Sequence, residues 1–113
     1  MIKIYHNPRC SKSRQGLEIL ENSGKEFEIV KYLETVPSKS ELESIIRLLN
    51  ISPLELVRKN EVVWKENYKG KTLTDTEIIA AMVTHPKLIE RPIVINGNKA
   101  IIGRPPSAIK AII

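Results

Sequence analysis

The residue of this sequence best suited to chemistry is its single cysteine, Cys10. A run of strand-forming residues, Ile2–Tyr5, precedes it, a turn containing Pro8 follows, and a helical pattern begins at about Ser11. This order predicts that Cys10 is the N-cap or first residue of a helix. Unpaired backbone N–H groups and the positive end of the helix dipole favour a thiolate there.

Several neighbours of Cys10 could stabilise a thiolate by charge or by hydrogen bonding. They are His6, Arg9, Lys12, Ser13 and Arg14. A pKa lowered by about two units from 8.5 would raise the thiolate fraction at neutral pH from about 3% to roughly 75%. A lone cysteine is also commonly a small buried apolar residue. Position and neighbours together therefore leave a reactive and a structural thiol equally open.

Spacing argues against three specific kinds of site. A tyrosine-phosphatase-type loop requires arginine at position 16, where the sequence has Gly16, and Arg14 comes too early. A zinc site would have only His6, the cysteine and the distant His85, so no metal is expected. A dithiol motif would need a second cysteine at Ser13. Disulfide chemistry would therefore need a thiol from another molecule.

The elements around Cys10 follow a β-α-β order and then, after a helical segment, a β-β-α order. Strands are predicted at Ile2–Tyr5 and Phe27–Tyr32, with a helix over about Ser11–Ser23 between them and Gly24 after its end. Three capping boxes predict helices in the middle, and they are Ser38–Glu41, Ser52–Glu55 and Thr74–Glu77. The last of these helices should end near Thr84, because Pro86 follows.

The sequence pattern of residues 93–113 predicts a β-hairpin followed by a short helix. Ile93–Ile95 and Ala100–Ile102 flank a turn containing Asn96-Gly97, and Pro105-Pro106 opens the helix. The whole pattern predicts an α/β fold with one mixed sheet and helices around it.

Composition and charge narrow the function classes. The net charge is +5, and the positive charge is concentrated at the two ends of the chain. Residues 1–33 contain six basic and four acidic side chains, and residues 91–113 contain four basic side chains and no acidic one. Aromatic residues are few and no dense Lys/Arg run occurs, so no nucleic-acid partner is expected. No apolar run approaches the roughly 20 residues that cross a bilayer, and no signal peptide is evident. We expect a cytoplasmic protein that binds a small anion between its basic chain ends and has no membrane partner.

Six segments in order resemble the glutaredoxin-linked arsenate reductase (ArsC) family. They are Ile4–Arg14, Tyr32–Thr35, Leu56–Asn60, His85-Pro86, Glu90–Val94 and Gly103–Pro105. The resemblance spans essentially the whole chain. It implies one thioredoxin-like domain over residues 1–113, with a helical insertion at about 38–85 between strands 2 and 3. Arg9, Ser11-Lys12 and an end at Ile113 resemble a short chromosomal subgroup of that family.

The resemblance also implies roles for individual residues. Cys10 would be the nucleophile, and the oxyanion would be held by Arg58, Arg91 and Arg104. His6, Lys12, Ser13 and Arg14 would tune the thiolate, with the Ser13 side chain donating to the sulfur. Pro92 would be a cis-proline facing the thiol. Arg58, which we expect late in a helix, could equally be a partner of that helix's dipole.

The function implied is reduction of arsenate to arsenite by a monomer. Glutathione would be the co-substrate, glutaredoxin the protein partner, and no cofactor would be bound. Two alternatives stay open from the sequence. One is a redox-responsive regulator of the Spx type that binds RNA polymerase, and the other is a general glutathione-linked thiol oxidoreductase.

Overall fold

A computed structural model describes residues 1–113. Two compact units are formed, which we call the sheet unit (Met1–Thr35 and Arg91–Ile113) and the helical unit (Val36–Glu90). No helix in either unit is long and apolar enough to span a bilayer.

The sheet unit contains four strands in the order β2-β1-β3-β4. Their bounds are β1 Ile2–Tyr5, β2 Phe27–Val30, β3 Ile93–Asn96 and β4 Lys99–Ile102. β1 and β2 are parallel, joined through helix α1 (Ser11–Asn22), whereas β3 is antiparallel to both β1 and β4. The mixed sheet predicted from the sequence is therefore confirmed.

Two predicted boundaries of the sheet differ from those observed. β2 ends at Val30 instead of Tyr32, because the carbonyl oxygen of Lys31 accepts hydrogen bonds from the N–H groups of Glu34 and Thr35 and closes a turn. The β3–β4 turn is two residues, since Asn96 already pairs with Lys99. Gly97 has a φ of +63° there, as a tight hairpin turn requires.

The core of the sheet unit lies between the sheet, α1 and a C-terminal 3₁₀ helix, Pro106–Ala111. Its buried members are Ile2, Ile4, Leu20, Val94 and Ile109. The cysteine lies at the N-terminal end of α1, shortly after the carboxyl end of β1, and that end of β1 pairs with the start of β3.

The helical unit contains three α-helices and two short 3₁₀ helices. The α-helices are α2 Lys39–Leu49, α3 Val62–Asn67 and α4 Asp75–Thr84, and the 3₁₀ helices are Pro53–Leu56 and Pro86–Leu88. The predicted caps are present at Ser38 and Thr74, and α4 ends at Thr84 as expected. The sequence pattern did not predict α3, whose buried Trp64 stacks on Tyr68.

Candidate active site around Cys10

Cys10 is the N-cap residue of α1, as the sequence predicts, and is half-buried. Its backbone N–H donates to the carbonyl oxygen of Asn7 (3.0 Å), and its carbonyl accepts from the N–H of Arg14 (2.9 Å). The turn before the helix and the first turn of the helix thus both fix its backbone. The thiol remains partly accessible while the first N–H groups of α1 face it.

The pKa of the Cys10 thiol is lowered from its ordinary value. Burial acts in the opposite direction and raises the pKa, but the stabilising contacts together outweigh it. These contacts are hydrogen bonds from the backbone N–H groups of Ser13 and Lys12, and a hydrogen bond and the charge from Arg91. The helix start and a cation from a distant part of the chain therefore act on the same sulfur.

Arg91 and Arg104 both approach the thiol, although they lie far from it in the sequence. Arg104 Nη2 is 3.8 Å from Cys10 Sγ, and Arg104 Nε donates to the carbonyl oxygen of Arg91 at 3.0 Å. Each arginine precedes a proline, and both peptide bonds, Arg91–Pro92 and Arg104–Pro105, are cis. The family expectation of a cis-proline at Pro92 is thus confirmed, and a second one follows Arg104.

Two glycines allow the chain to pack closely against Pro92, the proline that follows Arg91. A Cβ atom on Gly103 would lie 2.8 Å from Pro92 Cγ and 2.9 Å from Ile109 Cδ1. A Cβ atom on Gly16 would meet the same two side chains at 3.0 and 2.9 Å. Position 16, where a phosphatase loop would have arginine, is therefore a buried contact of α1 with the proline.

Ser13 does not act on the sulfur through its hydroxyl, which corrects the expectation from the family. Its fully buried Oγ lies 2.6 Å from His6 Nδ1 and accepts a hydrogen bond from the Asn7 backbone N–H at 3.0 Å. The backbone N–H of Ser13 faces the sulfur instead. The hydroxyl therefore connects the turn before the helix to its first turn.

His6 is buried beside Ser13. Burial lowers its pKa, the charges of Lys31 and Arg14 act in the same direction, and the contact with Ser13 acts against them. The imidazole is thus kept neutral at neutral pH. It supports the loop as a hydrogen-bonding group and supplies no positive charge to the thiolate.

Lys12 and Arg14 are exposed, and neither side chain contacts the thiol as the family resemblance led us to expect. Lys12 acts on the thiol through its backbone N–H. Arg14 Nη1 donates to the carbonyl oxygen of Pro8 at 3.0 Å, which braces the turn.

Arg58 lies in the helical unit, and it is not late in a helix as expected. The 3₁₀ helix ends at Leu56, and Arg58 follows a single β-bridge between Val57 and Ile89. Its guanidinium lies 3.1 Å from a carboxylate oxygen of Glu61 and 3.5 Å from one of Glu90. Two carboxylates thus hold this arginine, and helix-dipole pairing is not its role.

Asn7 is the residue of this loop that sequence reasoning missed. Its backbone oxygen accepts from Cys10, its side-chain Oδ1 accepts from the Arg9 N–H at 3.0 Å, and its own N–H donates to Ser13. The signal was available, because asparagine before proline is typical of a turn in which the side chain accepts from the backbone two residues on.

Comparison with known proteins assigns the chain to a family. The ArsC family model matches residues 5–112. Arsenate reductase of Haemophilus influenzae is 45% identical over 97% of this chain and 97% of its own length, and YfgD, an uncharacterized protein of Escherichia coli strain K12, is 46% identical over 99% and 96%.

The solved structure of arsenate reductase from Vibrio cholerae superposes with a TM-score of 0.95 at 45% identity, covering 99% of this chain and 97% of that one. This similarity confirms the thioredoxin-like fold with helices inserted between β2 and β3. A family match over nearly the whole length, together with relatives above 40% identity, leads to one conclusion: the chain belongs to the ArsC family.

Proposed function

We propose that this protein is an arsenate reductase in which Cys10 is the nucleophile and glutathione, with glutaredoxin, supplies the electrons. The observation that carries the proposal is a half-buried thiol of lowered pKa, approached by Arg104 at 3.8 Å and hydrogen bonded by Arg91. Membership of the ArsC family and relatives named arsenate reductase support it.

Arg91 and Arg104 supply what a tetrahedral oxyanion needs. Arsenate carries negative charge near neutral pH, and guanidinium groups stay charged and offer paired N–H donors to its oxygens. The sulfur would lie beside the bound arsenic, so the same arginines would stabilise charge as it develops on the oxygens. Arg58 stays a prediction from the family, to be tested by the arsenate KM of Arg58→Ala.

In the first step the Cys10 thiolate attacks arsenic. A sulfur–arsenic bond forms and one arsenic–oxygen bond breaks, so that after protonation the oxygen leaves as water. Arsenic is still As(V) in the resulting cysteinyl arsenate. A lowered thiol pKa helps because the thiolate is the nucleophile.

In the second step the glutathione thiol gives up its proton to solvent, and its thiolate attacks Cys10 Sγ. A disulfide forms, the sulfur–arsenic bond breaks, and its electron pair stays on arsenic, which becomes As(III) and leaves as arsenite after protonation by solvent. The sequence contains one cysteine, so the second thiol must come from another molecule. A glutaredoxin thiolate then takes the glutathione sulfur and releases Cys10. A monomer in the cytoplasm, where glutathione is abundant, fits this scheme.

The proposal is tested by arsenate-dependent NADPH oxidation with glutathione, glutaredoxin and glutathione reductase. Wild-type protein should turn over, Cys10→Ser should be inactive, and the exposed neighbour variant Ser11→Ala should retain activity. Turnover by Cys10→Ser would remove the thiol from the mechanism. Reduction of a mixed disulfide without any arsenate turnover would favour a general thiol oxidoreductase, and polymerase binding without turnover would favour an Spx-type regulator.

A further inference from the structure

A groove lies beside the loop of residues 6–10, which connects β1 to α1, and it plays no part in the oxyanion chemistry described above. It has a volume of about 310 Å³ and lies in the sheet unit, between the loop that follows β1 and the loop that follows β2. Asn7 and Arg9 line it from the first loop, and Lys31, Leu33 and Glu34 line it from the second. The groove thus lies at the carboxyl ends of two parallel strands, where open α/β sheets commonly bind ligands.

Both walls of the groove are fixed by backbone hydrogen bonds. The N–H of His6 donates to the carbonyl oxygen of Val30 at 2.9 Å, which extends the pairing of β1 and β2 into the groove. The carbonyl oxygen of Lys31 accepts from Glu34 and Thr35, and Asn7 Oδ1 accepts from Arg9. A ligand would therefore meet a largely preformed site, of a volume at the lower end of the roughly 300–1,000 Å³ typical of small-molecule pockets.

The charged groups lining the groove are two cations and one anion. Arg9 and Lys31 are exposed on different walls, and Glu34 is exposed on the second wall. His6 also borders the groove, but burial, followed by the charge of Lys31, lowers its pKa and keeps it neutral. Leu33, which is 39% exposed, adds an apolar contact.

We infer that this groove binds glutathione, with its two carboxylates on Arg9 and Lys31 and its ammonium group on Glu34. The number and sign of these charges match those of the tripeptide, whose cysteinyl thiol lies between its two carboxylate ends. The inference rests on the proposed function for the identity of the thiol, and it adds the site from which that thiol attacks.

The groove is lined by the residues that directly precede Cys10 in the chain. Arg9 directly precedes Cys10, and the carbonyl oxygen of Asn7 accepts from the Cys10 N–H. A tripeptide held by its ends would present its thiol toward this loop. Arg91 and Arg104 approach Cys10 from other segments and do not line the groove, so oxyanion and thiol would use separate sites.

The test uses no arsenate. Cys10 is converted to its mixed disulfide with thionitrobenzoate, and release of the coloured thiolate is followed as glutathione or 2-mercaptoethanol is added. In this exchange the added thiolate attacks Cys10 Sγ, one disulfide replaces another, and thionitrobenzoate leaves with the electron pair of the broken bond. Since 2-mercaptoethanol has no charged group besides its reacting thiolate, it reports any change in the intrinsic reactivity of the disulfide.

For the wild type we expect the rate to saturate with glutathione and to rise linearly with 2-mercaptoethanol. Arg9→Gln and Lys31→Gln should each lower the rate ratio of glutathione to 2-mercaptoethanol about threefold to fivefold below saturation, as expected for exposed ion pairs. Lys3→Gln, at an exposed position on β1, is the matched control and should leave the ratio unchanged.

A linear glutathione dependence, or a ratio that all three variants leave unchanged, would overturn the groove as a glutathione site even if arsenate is turned over. The groove would be upheld if the rate saturates with glutathione and both Arg9→Gln and Lys31→Gln lower the rate ratio. If the same protein shows no turnover of arsenate, the proposed function is refuted. The two inferences therefore fail independently.

Discussion

Arg104 Nε donates a 3.0 Å hydrogen bond to the carbonyl oxygen of Arg91, while Arg104 Nη2 lies 3.8 Å from Cys10 Sγ. One guanidinium thus joins the backbone of the second arginine to the thiol. The fork shape of the group makes this possible, because Nε and Nη2 point in different directions from one rigid plane.

Arg104→Lys should therefore fail to replace arginine, although it keeps the positive charge. An ammonium group cannot donate to the Arg91 carbonyl and reach the sulfur from two fixed nitrogens. We expect the arsenate KM to rise about tenfold, as for the loss of one charge-assisted hydrogen bond. Steady-state kinetics test this, with the exposed Arg47→Lys as control, and an unchanged KM in both variants would contradict the role assigned to Arg104.

The lowered pKa of Cys10 predicts the pH profile of alkylation. Because the thiolate reacts and the pKa of the Cys10 thiol is lowered, the rate of iodoacetamide modification should reach half its maximum at a lower pH than for a free cysteine measured under the same conditions. Arg91→Ala should move the midpoint upward, since it removes both a hydrogen bond and a charge that favour the thiolate. A midpoint at or above that of free cysteine in the wild type would refute the electrostatic account of the site.

Ser13→Ala should destabilise the fold more than it changes the thiol. It removes the partner of His6 Nδ1 and of the Asn7 N–H from a fully buried position, and such a loss costs about 1–3 kcal/mol. The backbone N–H that faces the sulfur is retained, so the alkylation midpoint should move less than in Arg91→Ala. Urea unfolding measures the loss of stability. Ser11→Ala, at an exposed position two residues earlier in the chain, should leave the free energy of unfolding nearly unchanged.

Gly103→Ala should disturb the packing of Gly103 on Pro92, the two residues that adjoin Arg104 and Arg91 in the chain. The added methyl group would lie 2.8 Å from Pro92 Cγ, so the proline that directly follows Arg91 would have to shift. We expect a loss of about 1–3 kcal/mol in the free energy of unfolding, together with a higher arsenate KM. Ser107→Ala, at an exposed position of the C-terminal 3₁₀ helix, provides the control. Wild-type stability in Gly103→Ala would show that the contact relaxes freely.

The sequence by itself determined the local elements and the position of the thiol. Strand formers before Pro8 and a helical pattern after it placed Cys10 at a helix start, and the capping boxes and Asn96-Gly97 located helices and the hairpin. These features depend on residues within a few positions of one another. Patterns of residue type and spacing therefore suffice to predict them.

Only the tertiary structure decided how the side chains are shared among partners. A hydroxyl such as Ser13 Oγ has several partners within reach, and the turn at Asn7 gives it His6 instead of the sulfur. The link from Arg104 to the Arg91 carbonyl, and the packing of Gly103 and Gly16 on Pro92, join segments that are distant in sequence. No local pattern encodes such contacts, because they arise only when the sheet brings the segments together.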